Sequence, residues 1–421
     1  MDRSKVFLTS TGCFIVQTKT NHIAAYLKNN NYDLVNTAPE AEAIIITTCA
    51  VTEGAAEGTR KKILECIEKR RAHVPVYVVG CYSRVEKDCM KDLANYGETY
   101  AIPEIKDIEK EFLGVTTWDS TEYNNFFSYP FREQYLESAS DSEEMRHKIL
   151  KRFFRIMDSI LKKDMQFLYL FGVGHLYSPD VQRAIWPVIC SKGCTHACSY
   201  CAVRIGTGRY ASKPLVPILD EVKRGVKRGY RRALLIGDEL GPYGVDLKDG
   251  TSLSTLLDAL ASGEYPIQLG LWYLDAFHLM DVLPAVERLA QEKELFFLGI
   301  TVQHGSKRIL DLMNRHYSVS DTMDAIVALR KHPKMLIATQ IMVGFPSETE
   351  EDFLESYRLV ERGCFDKVEV FEYSPRPGTR AAEMSNDVPA DVKRERAERL
   401  RRLAARKAKR LFARKIMNEL F

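Results

Sequence analysis

The chain has 421 residues, 45% of them hydrophobic and 28% charged, with a formal net charge of +3. That composition excludes a disordered or low-complexity chain and leaves room for about two to three domains with real apolar cores. Its longest apolar runs, such as Phe167 to Val173, are far short of the roughly 18–20 residues that cross a bilayer, so no membrane partner is expected.

The opening MDRSKVFLTS reads as the start of a strand, not a targeting peptide. Strands are predicted at Lys5 to Thr9, Ala43 to Thr48 and Pro75 to Val79, with helices around Thr20 to Asn29 and Gly58 to Arg70. Continuous apolar strands separated by helices imply a parallel α/β sheet buried on both faces, here assigned to an N-terminal domain of residues 1–113. A cysteine follows each strand closely: Cys13, Cys49 and Cys81. The C-termini of parallel strands share one edge, where open α/β folds bind ligands. The three thiols are therefore expected on neighbouring loops. A single cysteine near a strand end is most often a small buried hydrophobe, the reading given to Cys66, Cys89 and Cys364. Three at successive strand ends favour a metal site.

Residues 114–183 form an aromatic-rich, partly helical insert, with Phe126, Phe127, Tyr129, Phe131, Phe153, Phe154, Phe167, Tyr169 and Phe171. Ser142 to Met165 has helical periodicity and an acidic start, which suits a helix N-terminus. Such aromatics serve a small core more often than a substrate lid.

From 184 to 385 the alternation resumes. Strands are predicted at Ala233 to Ile236, Gln268 to Trp272, Phe296 to Val302, Ile337 to Val343 and Lys367 to Phe371, with helices such as Pro217 to Arg228 and Glu350 to Glu361. This is the pattern of a partial (β/α) barrel with its site at the strand C-termini. The loop after its first strand carries Cys194, Cys198 and Cys201 in a C-x3-C-x2-C run, with Tyr200 before the last. Three thiolates so close can hold three irons of a [4Fe–4S] cluster and leave the fourth iron open. Structural zinc prefers separated pairs around a tetrahedron. A fourth ligand from Cys190 or His196 would be cramped, and a disulfide framework does not suit a long chain with no secretory signal. Cys190 is read as a buried bystander.

The tail, 386–421, reads as a basic helix, with twelve Lys or Arg between Lys393 and Lys415 against two Glu. Its cations can meet nucleic acid or an acidic partner, while Leu400, Leu403 and Leu411 offer a stripe for docking on the barrel.

Taken with both cysteine trios, further blocks resemble the methylthiotransferase family of radical S-adenosylmethionine enzymes. They are Thr47-Thr48-Cys49-Ala50-Val51, Val78-Val79-Gly80-Cys81, Gly208-Arg209 with Ser212-Lys213-Pro214, Gln303-His304-Gly305-Ser306, Met313-Asn314-Arg315, Val343 to Thr349 and Tyr373 to Thr379. The resemblance implies two [4Fe–4S] clusters, one on Cys194, Cys198 and Cys201 and an auxiliary one on Cys13, Cys49 and Cys81. It also implies S-adenosylmethionine as both radical source and methyl donor. The first cluster would cleave it to a 5′-deoxyadenosyl radical that abstracts hydrogen, and the second would carry the sulfur. By position the resemblance brings Tyr200, Gly237, Asp238, Glu239, Gln303 and Arg376 around S-adenosylmethionine, and a carboxylate there suits its ammonium group. Gly344 and Pro346 are read as shaping a turn.

Departures bear on the substrate. Val16 and Thr47 stand where the family usually has Asn, and Arg204 to Gly208 replaces a P-x-x-R-G pattern. A C-terminal β-barrel that binds RNA in family members is not expected here. The favoured substrate is accordingly a residue of a ribosomally made peptide or protein. The alternative is a transfer-RNA adenosine, with Arg231, Arg232 and the tail contacting phosphates. A non-catalytic iron–sulfur protein is the remote alternative. A cytoplasmic enzyme of this kind also needs an electron donor, such as flavodoxin or ferredoxin, and a sulfur source.

Overall fold

The computed structural model describes residues 4–12, 14–118, 185–293, 295–385 and 387–420, with only the backbone of Phe14, Lys293 and 412–420. Cys13 and nearly all of the aromatic insert, with its expected helix, lie outside the described residues.

The first sheet has five parallel strands: β1 (Lys5–Thr11), β2 (Asp33–Val35), β3 (Ala43–Thr48), β4 (Val76–Gly80) and β5 (Thr99–Ile102), in the order β2-β1-β3-β4-β5. Ile44, Ile45 and Ile46 are fully buried, as a central strand covered on both faces requires. Helices Phe14–Asn29 and Glu53–Lys69 form crossovers. The second begins at Thr52, whose hydroxyl accepts from Ala55 N at 3.2 Å. The edge strands β2 and β5 are absent from the sequence-based expectation. Each is only three or four residues long, with no residue of β2 fully buried and only Ile102 buried in β5.

The second sheet is the expected partial barrel. Six parallel strands, β6 (Trp186–Ile189), β9 (Arg232–Ile236), β10 (Gln268–Asp275), β11 (Leu295–Gln303), β12 (Leu336–Val343) and β13 (Lys367–Glu372), follow in chain order across it. A short antiparallel pair, β7 (Ser191–Lys192) and β8 (Ala211–Ser212), closes the base of the loop between them. Leu235, Leu271, Leu298 and Ile337 are buried without exposure in the barrel core.

The basic tail is one helix, Ala390–Leu420. Ala397, Leu400 and Leu403 join the barrel core. Arg399 lies 4.7 Å over the ring of Phe353, and Arg396 donates to Glu348 at 2.9 Å. Two residues of the expected docking stripe, Leu400 and Leu403, therefore dock, while Leu411 is only half-buried and outside that core. The outward face retains exposed Arg394, Arg402, Arg406, Lys409 and Arg410.

Candidate active site

The loop closed by β7 and β8 carries Cys194, Cys198 and Cys201, and the segments that follow β11 and β13 fasten it. Ser199 N donates to Met313 O at 3.0 Å, and its hydroxyl to Leu312 O at 2.8 Å. Asn314 Nδ2 donates to Ala197 O at 3.0 Å, and Ala381 N to Ser199 O at 2.8 Å. Tyr200 packs on a small cluster containing Met313, Phe345 and Tyr373.

Each sulfur has a donor. His196 N reaches Cys194 Sγ at 3.4 Å, Val203 N reaches Cys201 Sγ at 3.4 Å, and Arg315 Nη1 reaches Cys198 Sγ at 3.8 Å. Burial pushes all three thiols up, Cys201 to about 12. Such sulfurs are poorly sustained as bare thiolates, whereas a coordinated metal deprotonates them outright. Donors on every sulfur together with that burial fit an iron–sulfur cluster.

The C-terminal ends of β9, β10 and β11 surround this loop. Asp238 Oδ2 accepts from Gly193 N at 2.7 Å, bracing the residue before Cys194. Glu239 is buried and accepts from Gly241 N at 2.8 Å and Asp275 N at 3.0 Å. Burial, and then the neighbouring Asp275 carboxylate, push Glu239 well above the ordinary carboxylate range. Asp275 itself pairs with Arg315 at 2.6 Å, both side chains being 5% exposed. The ligand atoms of His196, Glu239 and Asp275 lie within 4.8 Å of one another. Gln303 ends β11, buried and at φ 71°, where the register with β12 shifts.

In the first sheet Thr11 pairs with Thr48, and Thr48 with Gly80. Cys49 and Cys81, each the next residue after its strand, therefore sit on adjacent loops of one edge. Gly12 sits against Cys49: a Cβ at this glycine would lie 2.8 Å from that of Cys49. Thr47, standing in place of the family's Asn, shares a hydrogen with Thr20 at 2.5 Å inside the sheet.

The two cysteine regions meet. Helices Cys81–Val85 and Val203–Thr207 pack together. A Cβ on Gly206 would come 2.9 Å from Cys81 Cβ and 3.2 Å from its Sγ. Glu104 bridges Arg84 and Lys192, the latter at 2.6 Å. Burial raises its proton affinity, but these two cations outweigh burial and hold it below the usual range. Arg376 pairs with Glu86, and its Nε is buried with no hydrogen-bond partner among the described residues. Among those residues, a cavity of about 890 Å³ lined by Cys81, Gly206, Lys192 and Lys213 opens beside the Cys81–Gly206 contact.

Cys190 is fully buried, with its thiol pushed up to about 12 by burial. Asp275, Arg315 and Glu86 were not singled out from sequence. The signal for Asp275 was an acid closing the apolar run LGLWYLD, and that for Arg315 was its place in the Met313-Asn314-Arg315 block.

Residues 188–360 match the radical SAM superfamily, and residues 5–99 match the uncharacterized protein family UPF0004. A probable threonylcarbamoyladenosine tRNA methylthiotransferase of Pyrococcus horikoshii is 30% identical over 95% of this chain and 83% of its own length. The ribosomal protein uS12 methylthiotransferase RimO of Geotalea uraniireducens is 31% identical, over 96% and 82%. The tRNA-2-methylthio-N(6)-dimethylallyladenosine synthase of Thermotoga petrophila is 29% identical, over 96% and 82%. Among solved structures, the radical S-adenosylmethionine methyltransferase TsrM of Kitasatospora setae aligns with a TM-score of 0.56 at 13% identity, over 90% of this chain and 75% of TsrM, a likeness of fold alone.

Proposed function

Because the chain belongs to the radical S-adenosylmethionine methylthiotransferases, we propose that it replaces a C–H hydrogen of a transfer-RNA adenosine with a methylthio group. The observation that carries the two-site chemistry is the packing of Cys81 against Gly206, five residues past Cys201.

Cys194, Cys198 and Cys201 would hold the [4Fe–4S] cluster that the superfamily implies, and Cys13, Cys49 and Cys81 a second one. With S-adenosylmethionine bound, these groups supply one-electron chemistry able to activate an inert C–H bond, together with a place to carry sulfur. The protein's residues do the rest. Glu239, destabilised as a carboxylate by burial, is suited to an arriving ammonium group, which would bring its proton affinity back down. The Asp238 carboxylate holds the loop to the end of β9 through Gly193 N, and Gly237 beside it would border the cofactor. Gln303 and the free Nε edge of Arg376 are offered to the cofactor or the reacting base, over a floor that includes Tyr200.

Transfer RNA is preferred to a peptide because two of the three relatives above carry tRNA names. The exposed cations Arg394, Arg406, Lys409 and Arg410 offer phosphate contacts as well. An electron donor, a sulfur source and a cytoplasmic setting belong to the same reading. Among the described residues, no helix is long and apolar enough to cross a membrane.

The test is anaerobic reconstitution, followed by incubation with S-adenosylmethionine, reductant and either bulk tRNA or ribosomal protein. Nucleoside mass spectrometry should find one methylthio group in place of hydrogen on an adenosine. Binding should weaken with salt at a log–log slope of roughly −3 if four phosphates are met. Methylthiolation of protein alone, with salt-insensitive binding, overturns the RNA reading.

A further inference from the structure

The segment after β13 touches both cysteine regions. At one end Ala381 N donates to the carbonyl of Ser199, between Cys198 and Cys201, at 2.8 Å. At the other, Arg376 pairs with Glu86, the residue that ends the short helix begun by Cys81. The two partners are 290 positions apart in sequence, and their side chains are 6% and 14% exposed. Thr379 bonds back to the Arg376 carbonyl through both its N–H, at 3.1 Å, and its hydroxyl, at 2.7 Å, so the segment between the two contacts is internally tied.

The neighbouring link through Glu104 is weaker. Its carboxylate is 35% exposed and Lys192 39%, and pairs open to water contribute little. Breaking a buried pair costs far more, because the remaining charge is stranded. Of these two ion-pair links between the regions, Glu86–Arg376 is therefore the one whose loss disturbs their placement more.

We propose that Glu86 is a positioning residue: through Arg376 it clamps the Cys81 turn to the Cys194–Cys201 loop and so fixes the separation of the two reacting sites. This rests on the two-site reading above. The separation matters because a carbon activated at one site must be met by sulfur from the other. A misplacement of about 1 Å costs about 100-fold in such a step.

Two measurements on the full chain test it. In the reconstituted enzyme, Glu86→Gln should leave iron content and 5′-deoxyadenosine formation near wild type. It should also raise the ratio of 5′-deoxyadenosine to methylthiolated product by about 10- to 100-fold. A parallel fall of both products, or an unchanged ratio, overturns the proposal. In the iron-free protein, Glu86→Gln should speed amide hydrogen exchange in 81–86 and 203–207 but not in β10 to β12. The reversed pair Glu86→Arg with Arg376→Glu should restore protection. Wild-type exchange in Glu86→Gln, or acceleration throughout the chain, overturns the clamp. Wild-type enzyme that binds only about four irons defeats the two-site reading instead, and the exchange experiment still decides the clamp.

Discussion

At the scale of single residues, the decisive contacts are those made where a side chain is missing. Gly206 leaves just enough room for the Cys81 sulfur. On the two-cluster reading, Gly206→Ala should push the Cys81 turn away and empty the auxiliary set, lowering iron from about eight to about four per chain while 5′-deoxyadenosine still forms. Iron analysis and product chromatography check this, and full iron retention would contradict it. The cysteines could be singled out because thiols at strand ends and in one short loop are chemically conspicuous, although Cys13 lies outside the described residues. Asp275, Arg315 and Glu86 were not. Their meaning lies in partners 40, 40 and 290 positions away, and no local pattern announces a pairing that only the tertiary fold creates.

At the scale of elements, the central strands were readable from continuous apolar runs, and β3 was placed to the residue. The edge strands β2 and β5 escaped because their short, half-exposed runs resemble loops. The terminal helix was read as basic with a leucine stripe, and packing has separated those two faces. Leu400 is fully buried in the barrel core, so Leu400→Ala should destabilise the protein by about 2–5 kcal/mol, measurable by urea denaturation. Helix Glu350–Arg362 depends on Asp352, which closes its capping box with Thr349. Burial alone would raise this carboxyl, but hydrogen bonds from Arg308, Ser306 and Thr349 hold it well below the usual aspartate range. Its contribution is therefore complete above about pH 4 and is lost as pH falls further towards the folded value. Wild type should lose stability on acidification below about pH 4 more steeply than Asp352→Asn. Equal slopes would show that Asp352 is not linked to folding.

At the scale of the whole molecule, the two trios differ in how they come into being. Cys194, Cys198 and Cys201 are neighbours along the chain, whereas Cys49 and Cys81 become neighbours only when β3 has paired with β4. Long-range parallel pairing is slow, because loop closure precedes any reward. During refolding in limiting ferrous iron and sulfide, the local loop should therefore load first, and the strand-edge site should fill only as the N-terminal sheet matures. A chelator pulse at early times should then remove the free iron and leave the local loop loaded with the strand-edge site unfilled. On the two-site reading, a damaged N-terminal sheet would leave a chain that consumes S-adenosylmethionine yet has nothing to give its target, so the quality of one domain's assembly would govern whether the other's reactivity is spent usefully or wasted.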